Sequence, residues 1–502
     1  MAREKKNRTT ATSSTSRDLF NGLFLNVACN FLLYLGHLII ARRLPRADYA
    51  TFTVIVSFVS LMALFADLGL TLLFVRKFAA AEALAAAGKR DERGELLGSM
   101  LGLRIGMAVI VSIVVIIITP LLGYSLEARH LMMIMLVTLF ISSRLLVVRS
   151  VGEAFLRGHN KYHYVALFAV LDALVFASVL YFYSSKILDL EGAVWIYSFC
   201  HLPGFVLLFG LIYKDARSIG FRLSFRLQTL RTMIREGAPL IFSTAFLTIY
   251  NFADALLLDK LSTPLQVSAL GAGMRILSAI IFLPIVFAAV IGPLVTQATI
   301  KNDITRIRST IDRTLRLLMI CAMFIALVIS SAPIFIINFL FGAEKYVDAT
   351  PLVIIFSWTF IPLVFGTFIT EIAIAEGKLW ISTLYMGIVM VISVSCDLIF
   401  IPTFGAVGVG MAKCIAISSG FVVLLFIIKR IRVLDRTLFF QFIFRIAVVL
   451  LITLAARYVL AMISSHEILN AAIISTVFLA LIFLSRTIRL REVLAFKREM
   501  LK

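Results

Sequence analysis

The chain has 502 residues, of which 61% are hydrophobic and only 15% are charged, against about 25% charged residues in an ordinary soluble domain. With a mean hydropathy of +1.02, too little polar surface remains to cover one or several water-soluble cores. Apolar runs recur along the whole chain instead. This pattern predicts a polytopic membrane protein without a sizeable extramembrane domain.

The formal net charge of +20 reflects 48 Lys and Arg residues against 28 Asp and Glu residues. On a soluble protein this excess would indicate nucleic-acid binding. In a membrane protein it is typical of cations that stay on the cytoplasmic side and attract anionic lipid. We therefore expect membrane lipids and no nucleic acid as partners. The five cysteines lie in apolar runs without a C-x-x-C pair, which indicates packing residues rather than disulfides or metal ligands.

A transmembrane helix needs about 20 apolar residues. The fourth apolar run is interrupted by Arg144 and Arg149. The fourth, thirteenth and fourteenth runs are the three weakest predictions. The sequence predicts an all-α fold with fourteen spans: 19–41, 49–75, 99–123, 131–154, 163–184, 192–213, 237–259, 266–298, 314–341, 350–374, 379–402, 405–428, 441–463 and 468–485.

Lys and Arg residues are distributed unevenly over the connections between these spans. One side of the membrane receives 33 of the 48, the other side receives 7, and 8 lie within spans. This bias predicts that both termini are cytoplasmic. Residues 1–16 are basic and Ser/Thr-rich, as in a disordered cytoplasmic tail, and 486–502 form a second basic tail. No A-x-A-like site follows the first run, so we expect an uncleaved first span.

Short motifs recur between the two halves of the chain. Residues 153–158 end the fourth span and 371–377 end the tenth, and a Gly-Ala-Val triplet opens both the sixth and the twelfth span. Six spans per repeat keep the orientation, so the two copies are predicted to relate by an axis along the membrane normal. The predicted domains are an N-lobe at 17–213, an amphipathic cytoplasmic linker at 214–236, a C-lobe at 237–428 and two further spans at 429–485.

Charged residues inside spans need a partner or a water-filled cavity, because a charge at the bilayer centre costs about 2.5–3.5 kcal/mol. Two of them, Arg445 and Asp397, lie near span ends, where a side chain can reach the interface. Six of the span cations are Arg104, Arg144, Arg275, Lys413, Arg445 and Arg457, and the candidate buried acids include Asp67, Asp172, Asp254, Glu371 and Asp397.

Polar residues of the first span, Asn26, Asn30 and His37, fall within about 40° of one another on a helix of 3.6 residues per turn. The seventh span has an equivalent stripe, with Thr244 and Thr248 each 218 residues after Asn26 and Asn30. Two facing stripes would line a polar cavity between the lobes. The alternative is hydrogen bonding between packed helices within one lobe. Arg275 and Asp254 favour the cavity. The candidate substrate-binding residues are Arg275, Asn26, Asn30, His37, Asp67, Thr248, Asn251 and Asp254.

The sequence shows no recognisable constellation of catalytic residues. It lacks a nucleophile elbow, a phosphate-binding glycine loop and a cluster of residues at metal-ligand spacing, and its six histidines are scattered. We therefore expect a transporter rather than an enzyme, with no cofactor. Coupling to H⁺ or Na⁺ is left open.

Several segments resemble a known family. ARRLPRADYATFTVIVSFVSLMALFADLGLTLLFVRKFA is similar to the first helix pair of the polysaccharide-transport, O-antigen flippase-like family of the multidrug/oligosaccharidyl-lipid/polysaccharide (MOP) superfamily. EAFLRGHNKYHYVAL, ADALLLDKL, AGMRILSAI and GAVGVGMAKCIAI are further matches. The resemblance covers nearly the whole chain.

The resemblance implies two six-helix lobes, two extra C-terminal helices and a central cavity lined mainly by helices 1, 2, 7 and 8. It implies that a polyprenyl-pyrophosphate-linked oligosaccharide crosses the bacterial inner membrane by alternating access, for O-antigen, capsule or exopolysaccharide assembly. A polysaccharide polymerase or glycosyltransferases are implied as transient partners. The alternatives are a drug/cation antiporter of the same superfamily and a lipid scramblase or structural membrane protein.

Arg275 is the residue on which we expect transport to depend most. It lies eight residues into the eighth span from Val267, about 12 Å deep at 1.5 Å per residue. An unpaired guanidinium facing lipid there would be costly, so it should face the interior. Gly271 and Gly273 leave room for a neighbour or a headgroup. Two roles remain open: Arg275 pairs with Asp254 and locks two helices, or it binds the substrate diphosphate.

The charge distribution gives a direct test of topology. Reporters that are active on only one side of the membrane, fused after residue 10 and after residue 498, should both report the cytoplasm, because Lys and Arg are retained there. A signal from the opposite side at either position would contradict the predicted orientation.

Overall fold

The computed structural model of the chain describes residues 25–67, 69–88, 91–145, 147–159, 161–183, 188–219, 223–301, 304–427, 436–463 and 466–484. Every regular element in these ranges is a helix. The predicted tails at 1–16 and 486–502 lie outside the described residues. The chain divides into two units, Met1–Asp259 and Lys260–Lys502.

Eleven helices begin in the first unit and eight in the second, within the described ranges. The first set is α1 Leu25–Arg43, α2 Arg46–Asp67, α3 Thr71–Ala86, α4 Arg93–Leu121, α5 Leu126–Met135, α6 Thr138–Ile141, α7 Val148–Gly158, α8 Tyr162–Phe182, α9 Leu190–Phe199, α10 Leu202–Ile219 and α11 Leu227–Leu261. The second set is α12 Pro264–Lys301, α13 Ile304–Ser331, α14 Pro333–Phe341, α15 Thr350–Ala375, α16 Leu379–Phe404, α17 Ala406–Ile427, α18 Arg436–Ile463 and α19 Glu467–Leu484, with a short 3₁₀ turn at Val347–Ala349.

The predicted membrane spans coincide with these helices. Among the described residues, 11 helical segments are long and apolar enough to cross a membrane. They correspond to the predicted spans 1 to 3 and 5 to 12. The other three predicted spans are the three weakest apolar runs of the sequence, and the last of them contains a shorter apolar helix, Glu467–Ile482. The all-α, multi-pass membrane fold is therefore confirmed.

Helix α4 shows how such a helix meets lipid. Its side chains Val109, Ile113 and Ile117 are about half exposed, whereas Arg104 and Ala108 are completely buried. An exposed aliphatic face of this length would promote aggregation in water. In a bilayer it is solvated by acyl chains, while the backbone polar groups are satisfied within the helix.

Three predicted spans are interrupted or end early at a glycine or a proline. The second span ends at Asp67 rather than at residue 75, because Gly69 adopts a φ of +59°, which glycine tolerates best. The sixth is interrupted between α9 and α10, just before Pro203, and the ninth at Ala332, just before Pro333. Proline lacks the N–H of a continuous helix and disfavours helical backbone in the residue before it.

The fourth predicted span, 131–154, is not one helix. It is divided into α5, α6 and α7, with non-helical backbone at residues 142–145 and at Val147. No proline or glycine lies between 142 and 147. The prediction of a continuous span is wrong because contacts with other helices, described below, outweigh local helix propensity.

The predicted linker at 214–236 is also not one surface helix. Its first part continues α10 to Ile219, its last part belongs to α11, and residues 223–226 are non-helical. These residues are held on α4, since Ser224 N donates to Gly94 O at 3.3 Å and Arg226 N donates to Ser99 Oγ at 2.9 Å. Hydrogen bonds to α4 replace the helical pattern at this point.

The core of the first unit is built around aromatic rings of α3 and α7. The rings of Phe74, Phe78 and Phe155 are completely buried, with centroid distances of 5.6 Å between the first two and 5.2 Å between the last two. Aromatic pairs at such distances add about 0.5–1.5 kcal/mol beyond area burial. Gly158 leaves the space that Phe78 occupies.

The second unit is centred on α15, which packs against α12, α13, α16 and α17. Leu352 of α15 fits against two glycines: a Cβ on Gly273 of α12 or on Gly410 of α17 would lie 2.8 Å or 2.7 Å from its methyl groups. Glycines let two helices approach closely and so increase van der Waals packing between them. In a bilayer this packing drives helix association, because lipid tails are as apolar as the side chains and burial from lipid gives no hydrophobic stabilisation.

Arginines hold the interrupted helices together. Arg149, in the first turn of α7, donates through Nη1 to the carbonyl of Ile141 at 3.3 Å and to that of His201 at 3.2 Å. Those carbonyls lie at the break between α6 and α7 and at the break between α9 and α10. Because a backbone carbonyl without a partner is costly in an apolar layer, one guanidinium stabilises two breaks.

Two buried carboxylates complete this group, which we call the Arg149 clamp (Arg149, Glu153 and Asp172). Arg149 Nε donates to Glu153 Oε1 at 3.1 Å, and Nη1 donates to Asp172 Oδ2. Asp172 Oδ1 in turn accepts from Gly204 N at 2.9 Å, in the first turn of α10. The clamp thus joins α7, α8 and α10.

Arg104 of α4 holds the α2–α3 turn in the same way. Its Nη1 lies 3.0 Å from Ala66 O and 2.6 Å from Asp67 Oδ1, and its Nη2 donates to Thr71 Oγ1 at 3.0 Å. Asp67 Oδ2 accepts from Gly69 N at 3.3 Å. A charged residue inside a span was predicted to need a partner. For Arg104 the partners are the polar groups of the α2–α3 turn.

Further arginines bind carbonyls at helix ends in both units. Arg43 Nη1 donates to Leu180 O at 2.7 Å near the end of α8. Arg457 of α18 donates to Ser330 Oγ at 3.0 Å and to Ser330 O, just before the break between α13 and α14. The two contacts with Ser330 explain why Arg457 is tolerated inside an apolar span.

Replacing Arg149 should destabilise the chain far more than replacing its neighbour Arg157. Arg149→Met leaves Glu153 and Asp172 buried without their shared cation, a loss of about 3–5 kcal/mol in the free energy of unfolding. Arg157 also contacts Glu153, at 3.4 Å, but its side chain is 35% exposed, so Arg157→Met should cost about 0–1 kcal/mol.

The measurement is thermal unfolding of both purified variants in one detergent. A clear fall in the unfolding midpoint is expected for Arg149→Met alone. Equal midpoints for the two variants would show that the clamp does not stabilise the breaks.

Candidate functional site

The polar residues predicted on the first span lie on one helix, α1, but contact different groups. Asn26 Nδ2 donates to Tyr162 Oη at 3.0 Å, and Asn30 Nδ2 donates to the carbonyl of Asn26 at 2.9 Å. His37 Nε2 lies 3.2 Å from Arg144 Nη1. The asparagines and the histidine thus reach two separate places within the first unit.

The polar residues of the seventh span lie on α11. Thr248 Oγ1 donates to Thr244 O at 2.8 Å, which satisfies the hydroxyl within its own helix. Asn251 is half-buried and Asp254 is buried, with Asp254 Oδ1 accepting from Ala255 N at 3.0 Å. Their predicted role in a cavity between the lobes stays a prediction.

Asp67 differs from the other candidates because its carboxylate is engaged at both oxygens. One oxygen faces Arg104 and the other accepts from the backbone of Gly69. This arrangement fixes the turn between α2 and α3. The carboxylate of Asp67 therefore has a structural role in orienting Arg104. Its predicted role in substrate binding stays a prediction.

Arg275 lies on α12, eleven residues after its first residue, Pro264, and is half-buried. Its Nε is shielded from solvent and has no hydrogen-bond partner among the residues that the structure describes. Its carbonyl accepts from Ser278 Oγ at 2.9 Å. Gly273, which was predicted to leave room for a neighbour or headgroup, admits Leu352 of α15. The Asp254–Arg275 pair joins residues of different units and stays a prediction.

A group that the sequence did not single out as a site surrounds Arg144, between α6 and α7. The guanidinium carbon lies 5.0 Å from the ring centroids of both Phe176 and Tyr197. The His37 ring packs against the same two rings, at 5.5 and 5.7 Å. We call these four residues the Arg144 cage. Arg144 was predicted only as a span cation, because its partners are remote in sequence and two of them are apolar.

The chemistry that these side chains offer is binding. A guanidinium donates hydrogen bonds in a fixed plane and suits carboxylates and phosphates. Among the described residues, no group of three or more His, Cys, Asp or Glu side chains is placed to hold a metal ion. Arg144 keeps Nε and Nη2, and Arg275 keeps Nε, as shielded donors without a hydrogen-bond partner among the described residues.

Solved structures show where the fold occurs. A structure of the lipid II flippase MurJ in an inward closed conformation aligns with a TM-score of 0.71 at 17% identity, over 93% of this chain and 100% of that one. An inward-facing MATE-family multidrug transporter of the MOP superfamily aligns with 0.64 at 17%, over 80% and 94%. A MOP superfamily transporter from Pyrococcus furiosus, described as having a binding pocket of reverse polarity, aligns with 0.59 at 15%, over 84% and 96%.

No curated protein matches the chain by sequence. Two family models do. The model for MatE matches residues 239–399. The model described as polysaccharide biosynthesis protein matches residues 20–299, more than half of the chain. The chain therefore belongs to this polysaccharide biosynthesis protein family, and it shares its fold with solved structures of MOP superfamily transporters.

Proposed function

We propose that the protein is a flippase that moves a polyprenyl-pyrophosphate-linked oligosaccharide across the bacterial inner membrane by alternating access. The observation that carries this proposal is the family match over residues 20–299, whose description is polysaccharide biosynthesis. The fold adds support, because a solved structure with the same architecture is described as a lipid II flippase. The substrate would serve surface polysaccharide assembly, as O-antigen, capsule or exopolysaccharide.

Such a substrate has three parts, and each needs a different environment. The polyprenyl tail is soluble in the bilayer, the diphosphate needs cations, and the sugars need hydrogen-bonding and aromatic side chains. Arg275 meets the second need, because it is half-buried on a membrane-spanning helix and its Nε is without a hydrogen-bond partner among the described residues. Asn26, Asn30 and Asn251 are candidates for the sugar hydroxyls.

A structural role for Arg275 is the competing interpretation. In that case Asp254 neutralises the guanidinium permanently and the two side chains lock their helices. The proposed function instead has Asp254 hold Arg275 only between transport cycles, so that the guanidinium is released to the diphosphate. The two roles differ in what a lysine at position 275 would do.

A drug/cation antiporter is the second candidate, because the MatE model matches residues 239–399 and multidrug transporters share the fold. A cationic drug requires uncompensated carboxylates in its binding site. In the first unit the carboxylates of Glu153 and Asp172 are engaged by Arg149, and Asp67 is engaged by Arg104. Those engaged carboxylates favour an anionic substrate.

The remaining properties follow from the same proposal. The protein lies in the inner membrane with both termini in the cytoplasm, and the headgroup moves towards the outer leaflet. Lipid-linked oligosaccharide and membrane lipids are its partners, with transient contacts to a polymerase or glycosyltransferases. It acts as a transporter and not as an enzyme, without a cofactor, and coupling to H⁺ or Na⁺ is left open.

Arg275→Lys should reduce transport severely while the protein accumulates normally in the membrane. Lysine keeps the charge but loses the fork that binds a phosphate through two hydrogen bonds. Loss of one charge-assisted hydrogen bond of about 1.5–3 kcal/mol reduces the rate by about tenfold to a hundredfold. The measurement is translocation of a fluorescent polyprenyl-pyrophosphate-linked oligosaccharide in vesicles containing the purified variant.

Two variants serve as controls in that assay. Asp254→Asn should be milder than Arg275→Lys, because Asp254 only holds the guanidinium between cycles. Arg316→Lys should transport normally, since Arg316 Nε donates to the carbonyl of Asp312 in its own helix. Normal transport by Arg275→Lys, or failure of Arg275→Ala to accumulate in the membrane, would assign Arg275 to the structural role.

A further inference from the structure

The Arg144 cage holds a guanidinium that is used at one nitrogen only. Arg144 Nη1 lies 3.2 Å from His37 Nε2. Because a guanidinium only donates hydrogen bonds, His37 accepts there through its ring nitrogen. Arg144 Nε and Nη2 are both shielded from solvent, and neither has a hydrogen-bond partner within the described part of the chain.

These two nitrogens form one edge of the guanidinium. Their N–H bonds are parallel, which is the geometry that binds two oxygens of a carboxylate or phosphate at once. Arg104 and Arg149, which are buried in the same unit, lack such an open edge, since Arg104 leaves only Nε and Arg149 leaves only Nη2 without a partner. A buried donor without a partner costs about 1–3 kcal/mol, so two adjacent ones require an explanation.

Arg144 also forms no ion pair among the described residues. Glu153 and Asp172, two buried carboxylates of the same unit, form ion pairs with Arg149 instead. Phe176 and Tyr197 hold the cation by cation–π contact at 5.0 Å, which positions it without compensating its charge. The cage therefore favours an anion.

We propose that Arg144 binds a phosphate-class oxyanion through its Nε–Nη2 edge, at a site within the first unit that is distinct from Arg275. His37 contacts Nη1, which is not part of this edge. Because both donor atoms are shielded, the anion reaches them when a neighbouring ring moves. Binding thus selects an opened form of the cage.

Two sources supply this chemistry. One is the diphosphate of the lipid-linked substrate, an assignment that rests on the proposed function. The other is a free inorganic anion such as pyrophosphate, which requires no lipid. Arg144 would recognise the same oxygens in both.

The test is ligand binding by the purified full-length chain in detergent, at constant ionic strength. The probes are inorganic pyrophosphate, polyprenyl pyrophosphate and, as a probe without phosphate, polyprenol. We expect Arg144→Lys to weaken binding of a phosphate-bearing probe about tenfold or more, with polyprenol binding unchanged. Arg43→Lys is the matched control, because Arg43 donates to the carbonyl of Leu180 in the same unit, and it should bind like the wild type.

The two sources give different results. If both phosphate-bearing probes depend on Arg144, the site takes a free anion; if only polyprenyl pyrophosphate does, the site takes the lipid headgroup. If Arg144→Lys binds every probe like the wild type, the proposal is overturned. If that variant does not fold, hydrogen exchange of the wild type decides: pyrophosphate or its polyprenyl ester should protect the backbone around residues 147–150, and unchanged exchange with both would also overturn it.

Failure of the proposed function would look different. Vesicles that do not translocate the lipid-linked oligosaccharide would refute the flippase, whereas Arg144-dependent binding of pyrophosphate would remain. Conversely, transport that depends on Arg275 together with binding that ignores Arg144 would refute only the site in the cage.

Discussion

Interrupted helices in a membrane expose carbonyls that water does not reach, and these carbonyls need donors from side chains. In this chain arginine supplies them. Arg149 satisfies carbonyls at two breaks at once, Arg104 holds the α2–α3 turn, and Arg457 holds Ser330 beside the α13–α14 break. A guanidinium suits this task because it stays charged and presents five donors in one plane. The buried carboxylates beside Arg149 and Arg104 are then needed to neutralise the cations that the breaks require.

The arginines of the chain differ in how many of their donors are engaged by the protein itself. An arginine at a break has most of its donors engaged by backbone and carboxylate oxygens. Arg144 and Arg275 differ, because each retains shielded donors without a hydrogen-bond partner in the described ranges. The proposed function assigns an anionic group such as a diphosphate to these donors, in a protein whose family is described by polysaccharide biosynthesis. The exposed side of α4, in contrast, is aliphatic at Val109, Ile113 and Ile117.

Much of the fold was predictable, because a bilayer requires about 20 apolar residues for each span and because Pro203, Pro333 and Gly69 signal their breaks locally. The break in the fourth span was not predictable, since residues 142–147 contain neither proline nor glycine and the cause lies in contacts with α8 and α10. For the site, the sequence indicated that Arg275 should not face lipid, and the structure places it half-buried. The Arg144 cage was missed because its partner His37 is 107 residues away and its rings resemble ordinary core residues.

Solved structures of a lipid II flippase and of a multidrug transporter share this fold. The two functions are distinguished by the chemistry of the substrate that is transported. The most direct measurement compares two substrates of the wild-type chain in the same vesicles: a labelled polyprenyl-pyrophosphate-linked oligosaccharide, whose exposure is followed with a membrane-impermeant glycosidase, and a cationic dye. We predict that the oligosaccharide lipid is translocated and is competed by other diphosphate-linked lipids but not by the dye. Translocation of the dye, with no protein-dependent exposure of the oligosaccharide, would contradict the assignment.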